Sequence, residues 1–183
     1  MGQSVYVSGV ERYFDADDII VSKTDLKGRL TYANRLFLDL SGYTEKEVLG
    51  QPHSMIRHPE MPRCIFKVLW GAIETGNEIF AYVNNRSKNG DNYWVYAHVT
   101  PSLSVDGKVV GYHSNRRVPD RKILESHVFP LYAKLKSIED KHTNRKDGLL
   151  ASEKAMNEIL VEKGVDYTEF IVTLGQRRRR GFR

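Results

Sequence analysis

Residues 85–101, NRSKNGDNYWVYAHVTP, read as the turn and return strand of a β-hairpin. Asn89-Gly90 is the turn signal, because a type I′ turn needs positive φ at both central positions and these residue types tolerate it best. The flanking runs, 78–85 and 92–102, are rich in β-branched and aromatic residues. Tyr93 and Trp94 must point to opposite faces of their strand, so only one of them faces a core behind it. Asp106-Gly107 marks a second hairpin turn and 108–116 a further strand. The second half of the domain is therefore three long antiparallel strands.

Upstream the pattern is different. Residues 18–24, DIIVSKT, form a strand, Asp25–Gly28 a turn and Arg29–Ala33 the return strand. Asn34 caps a short helix that Gly42 ends, and Thr44 with Glu47 makes a capping box for another. Then comes QPHSMIRHPEMP, 51–62, too proline-rich for regular structure. Apolar residues at 65, 66, 69, 70 and 73 predict a helix over 63–74, stopped by Gly76. The order is two strands, several short helices, three strands. This is an α+β domain, a five-stranded antiparallel sheet with short helices on one face.

Past Pro119 the chain turns helical. Leu124, Val128, Leu131, Leu135 and Ile138 make a heptad seam, interrupted by Pro130. Two readings stand: a flanking helix packed on its own domain, or a seam for a homodimer. Lys141–Gly148 is a polar break, and 150–162 a second helix. The organisation predicted is an N-terminal cap segment over 1–17, an α+β domain over 18–118, a C-terminal helical extension over 119–175 and a basic tail over 176–183.

Composition excludes several classes. No apolar run has the roughly 20 residues of a membrane helix, and the N-terminus lacks the apolar stretch of a secretory signal. The single cysteine, Cys64, rules out an intrachain disulfide, zinc ribbons and CxxC redox sites, and fits a reducing cytoplasm. Its apolar neighbours predict a buried, inert thiol. The net charge of +5 resides in the last seven residues, RRRRGFR, which hold five arginines. With no interleaved aromatic beyond Phe182, Arg177–Arg180 suit contact with anionic lipid at the inner face of a membrane better than nucleic acid. An idle solvated tail is the alternative. There is no nucleophile–base pair and no nicotinamide-binding GxGxxG, so an enzyme is not expected.

The strand and helix order is that of a PAS domain. TDLKGRLTYANRLFLDLSGYTEKEVLGQPHSMIRHPEMP together with NRSKNGDNYWVYAHVTP resembles the PAS domain of the aerotaxis receptors, and PLYAKL resembles that family's exit segment. EIFAYVNN and the extra C-terminal segment resemble the small free-standing PAS partners of bipartite energy-taxis receptors. The resemblance implies non-covalent FAD in a cavity between sheet and helices, sensing of redox state or oxygen, and a cytoplasmic protein signalling to a separate membrane chemoreceptor that carries the signalling domain.

It also implies site residues. The family uses the Arg-His of its loop motif, here Arg57 and His58, in flavin binding. Glu60 stands where the family has Asp. At Ile79-Phe80 the family carries a tryptophan beside the flavin; either Phe80 supplies the aromatic wall here or the cavity differs. Asn34 caps its helix and, in the family pattern, also faces the cavity. Asn85 presents an amide to the ring edge, and Trp70 lines core and cavity together. His53 is read as a cap of the loop's short turn. Two competitors remain: a haem-binding gas sensor using His98 or His113, and a cofactor-free dimerisation module.

Overall fold

The structure, a computed structural model, describes residues 5–176. Five antiparallel strands form one sheet in the order β2-β1-β5-β4-β3. They are β1 (Ile20–Thr24), β2 (Leu30–Ala33), β3 (Ile79–Arg86), β4 (Asn92–Leu103) and β5 (Val109–Arg117). Between β2 and β3 lie α1 (Arg35–Ser41), α2 (Glu45–Val48), a 3₁₀ turn (His53–Ile56) and α3 (Arg63–Glu74). The 3₁₀ turn is a departure from the expected irregular loop. Pro52 sits ahead of it as N-cap, where a missing N–H is harmless.

All three hairpin loops use one device. In each, a glycine N–H bonds the carbonyl three residues back and the flanking strand closes around it: Asp25 to Gly28, Ser87 to Gly90, Ser104 to Gly107. Only the glycines have positive φ, and Asn89 does not. The loop at Asn89-Gly90 is thus a type I turn closed by a left-handed glycine, not the expected type I′ turn.

Gly28 carries a second demand. At φ 72° a Cβ there would lie 2.7 Å from Cη2 of Trp70. Gly28→Ala is expected to cost about 1–2 kcal/mol in left-handed backbone alone, and to displace Trp70. Thermal denaturation, with Trp70 fluorescence as the local probe, checks both.

The two sheet faces differ. Ile79, Ala81, Val83 and Asn85 of β3 share the inner face with Tyr93, Val95, Ala97 and Val99 of β4, as the pairing of 83 with 95 and 81 with 97 requires. Helices α1 to α3 cover this face, and Phe37, Ile56, Ile65, Leu69 and Ile73 complete the core. Tyr93 is the inward residue of the Tyr93-Trp94 pair. Trp94 points outward, its ring 5.0 Å from Phe129 and 6.1 Å from Tyr132.

The chain beyond β5 is helical: α4 (Arg121–Ile123), a π turn (Leu124–Val128), α5 (Phe129–Asp140), α6 (Arg145–Lys163) and α7 (Tyr167–Val172). The π turn lets the helix run past Pro130, which has no N–H to give. Leu124, Val128 and Leu135 of the heptad seam are buried within the chain. Packing on its own domain is seen at these three positions, while Leu131 and Ile138 are half-buried. Helix α6 begins earlier than the polar stretch suggested, because Asn144 caps it, its Oδ1 accepting from the Lys146 N–H at 2.8 Å; Gly148 packs directly on the Glu139 carbonyl, where a side chain has no room. No helix among the described residues is long and apolar enough to cross a membrane. The basic tail, with Arg177–Arg180, lies outside the described residues.

Candidate functional site

Between the inner sheet face and α3 lies a cavity of about 250 Å³. Phe66, Leu69, Trp70 and Ile73 reach it from α3, where their spacing makes one helical face. Val83, Ala97, Val99 and Tyr112 form the sheet wall. Trp70 stands edge-on to Tyr112, with ring centroids 5.5 Å apart. The walls are thus apolar and aromatic, and a few polar groups converge between them.

Asn85 is one. It is buried on β3, and its Nδ2 has no hydrogen-bond partner in the protein. An antiparallel bridge pairs it with Arg57, which fastens the proline-rich loop to the edge of the sheet. The Arg57 guanidinium lies over the Phe66 ring, 3.6 Å from its centroid, and its buried Nε is likewise without a partner. Burial first, and Arg145 second, push its pKa below the usual arginine value.

Arg116 is the third polar group, on β5 opposite Ile20 and Ala97. It is 4% exposed, and no carboxylate is paired with it among the described residues. Its Nη2 donates to Ser22 Oγ at 2.7 Å and to His53 Nε2 at 2.6 Å, while Nη1 has no partner. Ser22 Oγ is also 3.2 Å from the same imidazole nitrogen. Burial, then the nearby Arg116 charge, hold the His53 pKa down to about 3. The imidazole is therefore neutral at pH 7, with Nε2 as the acceptor. Burial also brings Arg116 down to about 10, which leaves it a cation at neutral pH.

The structure places the expected residues in two groups. Arg57, Asn85 and Trp70 line the cavity together. His58, Glu60, Phe80 and Asn34 are elsewhere. The bridge at Arg57 imposes strand-like alternation on the loop, so His58 turns the other way, and its N–H bonds the Asn84 carbonyl. His58 and Glu60 line a separate cleft with Asn84, Trp94 and Phe129. The Glu60 carboxylate is exposed and 4.0 Å from the His58 ring. Phe80 is on the outer sheet face, stacked on His98 at 4.2 Å, because the inward positions of β3 are the odd ones.

Asn34 is engaged by its neighbours through both ends of its amide. Its Oδ1 accepts from Phe37 N–H and Val21 N–H, and its Nδ2 donates to the Ile19 carbonyl. Asn34→Ala is expected to cost about 1–2 kcal/mol as a lost cap with no change in ligand affinity. Urea denaturation and a ligand titration of the same variant check it. Against a haem site, His98 bonds Glu78 at 2.7 Å on the outer face; His113 is half-buried at the border of the cavity, its Nε2 without a partner. Cys64 is buried as expected, and desolvation pushes its thiol up to about 11.

Sequence reasoning missed Arg116 and Ser22, and read His53 as a cap. A period-two count along β5 from Tyr112 through Ser114 would have set Arg116 inward. No local signal announced that His53 would meet it, because 63 residues separate them.

Residues 30–116 match the family described as PAS fold. The chain is 41% identical over 136 residues to the aerotaxis receptor of Escherichia coli K12, a match that takes in 74% of this chain and 26% of that receptor. The light-state structure of the blue-light photoreceptor Aureochrome1 LOV aligns at 25% identity and TM-score 0.51, covering 67% of this chain and 91% of that one. A solved light-oxygen-voltage domain whose mechanism was studied with a flavin analogue aligns at 26% identity and TM-score 0.50, covering 68% and 87%. The five strands and their cavity are therefore a PAS sensor domain. Within that class the domain is of the aerotaxis-receptor type. The match spans about a quarter of that receptor's length.

Proposed function

We propose that this domain binds FAD non-covalently and reports cytoplasmic redox state or oxygen through it. One observation carries the reading. Three donor nitrogens, Arg57 Nε, Asn85 Nδ2 and Arg116 Nη1, lack any protein partner although the residues line one apolar cavity, and Nε2 of His113, a fourth lining residue, is likewise without one. Buried N–H groups are almost always paired, so three orphans around one hollow point to a ligand with acceptors. The volume of about 250 Å³ is close to the low end of ligand pockets, roughly 300–1,000 Å³. It suits a planar ring system, with the remainder of a dinucleotide at the mouth beside Arg57.

FAD supplies a ring whose hydrogen-bonding edge changes with its redox state. The protein's part is to bind and to read. Trp70, Leu69 and Ile73 wall the ring, and the Asn85 amide offers a donor to its edge. Arg57 meets phosphate at the half-exposed mouth. A donor that loses its acceptor on reduction of the ring changes in free energy by roughly 1–3 kcal/mol. That is enough to shift a two-state element several-fold. The signal then passes by protein contact to a separate membrane chemoreceptor, a reading supported by the resemblance to the aerotaxis receptor.

The test is an absorption spectrum of the purified chain, before and after refolding with FAD, followed by chromatography of the released chromophore. Flavin bands and released FAD are expected. A Soret band, or a colourless protein after refolding with FAD, overturns the reading. For the partner, co-purification of the chain with a membrane-embedded chemoreceptor from its own cells is expected, and its absence in oxidised and reduced lysates alike counts against that step.

A further inference from the structure

A guanidinium buried in an apolar setting is stable only where acceptors or an opposite charge meet it. Arg116 meets neither in full. Its partners are a hydroxyl and a neutral imidazole. Phe37 lies beside the cation at 5.7 Å and edge-on to His53 at 6.1 Å. Nη1 remains without a partner, on a residue that lines the cavity. His53 and Ser22 do not neutralise the charge. They fix its direction, because both hold the same nitrogen, Nη2, and leave Nη1 for something else.

Two cations therefore mark the cavity with different exposure. Arg57 is half-buried at the mouth and stacked on Phe66, whereas Arg116 is fully enclosed. A phosphate keeps its hydration best at the first. The second suits an acceptor that is itself inside the hollow, on the ring. In a flavin the acceptor edge is the pyrimidine dione, and the N1–C2=O end of it takes up negative charge when the ring gains an electron pair.

We propose that Arg116, aimed by His53 and Ser22, is the residue that receives the N1–C2=O edge of the bound flavin and stabilises negative charge there. The inference rests on the flavin reading above and goes beyond it, since it assigns the orientation of the ring and a residue that sets its reduction potential.

Sulfite is a probe of that charge. Its sulfur lone pair forms a bond to N5 of the oxidised ring, and the displaced ring electron pair comes to rest on N1–C2=O. Sulfur is oxidised by two electrons and the ring reduced by two. The dianion's two charges end on the sulfonate and on the ring edge, and no other reactant is needed.

The experiment titrates sulfite into the FAD-loaded full chain, following loss of the blue absorption band, and measures the midpoint potential with redox dyes. Wild type, Arg116→Met, Arg116→Lys and free FAD are compared. The wild type is expected to bind sulfite at least tenfold more tightly than free FAD. Arg116→Met loses that advantage, and its potential falls by ~30 mV for each tenfold loss of preference in a two-electron couple. Arg116→Lys keeps the charge without the fork and falls between. If Arg116→Met does not fold, Ser22→Ala and His53→Gln, which loosen the aim of the guanidinium, lower sulfite affinity and potential in its place. A loaded wild type matching free FAD in both sulfite affinity and potential overturns this proposal alone. So does a loaded Met variant matching the wild type in both. A wild type that retains no flavin overturns the parent reading and this one with it.

Discussion

Glu139→Ala is expected to lower stability by about 3 kcal/mol, the low end for breaking a buried ion pair, and the melting temperature by roughly 6–12 °C for a chain of this size. Glu139 sits at the end of α5, 1% exposed. Its Oε2 takes the Arg63 Nε at 2.9 Å, and its Oε1 takes the Cys64 N–H at 3.1 Å and the Ser152 hydroxyl at 2.8 Å. Helix α3 starts after Pro62 with no side-chain cap of its own. One of its open N–H groups, that of Cys64, is served instead by a carboxylate 75 residues away in sequence. Removal leaves the Cys64 amide and the Ser152 hydroxyl without that acceptor, and Arg63, partly exposed, recovers water. The low end of the range is therefore the appropriate one. Glu139→Gln keeps acceptor and shape but loses the charge, and is expected to cost about 1–2 kcal/mol. Because α3 carries Phe66, Leu69, Trp70 and Ile73, the loss extends to the cavity wall. Amide hydrogen exchange in the first turn of α3 should rise in the alanine variant before global unfolding does. An alanine variant that melts within about 2 °C of the wild type would show that α5 and α6 do not hold the cavity helix.

That coupling also marks where sequence reading stops. Local signals were legible. The caps at Asn34 and Thr44, the glycines at 42 and 76, the apolar spacing of α3 and the turn glycines of the hairpins all placed their elements within a residue or two. One local error, the type I′ turn at Asn89-Gly90, came from reading a dipeptide that suits two turn types. The loop length decides between them. Site geometry was less legible because it depends on parity. Phe80 was expected on the wall, yet the inward positions of β3 are odd. His58 follows Arg57 in the chain but not in space, since the bridge at Arg57 alternates the loop. Arg116, His53 and Ser22 come together across three segments, and no spacing within one of them encodes the meeting. The same holds for Glu139, an ordinary surface residue by composition, whose role exists only once α5 lies across the start of α3.

Arg57→Ala is expected to weaken FAD binding by about 10–150-fold while leaving riboflavin affinity within about twofold. The range is that of one charge-assisted hydrogen bond, roughly 1.5–3 kcal/mol, at 1.4 kcal/mol per tenfold. The separation of the two ligands follows from position. Arg57 stacks on Phe66 and stands half-exposed at the mouth, whereas the ring is to be held by Trp70, Asn85 and Arg116 further in. Phosphate is thus the part of the ligand that Arg57 meets, and riboflavin has none. Arg57→Lys keeps the charge but loses the planar fork and the stacking, so its FAD affinity should lie between wild type and alanine. Glu60→Gln is the companion test, since its carboxylate is exposed in a different cleft. It should leave both affinities unchanged. Fluorescence titrations of riboflavin, FMN and FAD against refolded protein, with melting temperatures taken alongside, separate these cases. Equal loss of riboflavin and FAD in a stably folded Arg57→Ala variant would mean that Arg57 supports the ring wall through Phe66 and that the phosphates are held by another group.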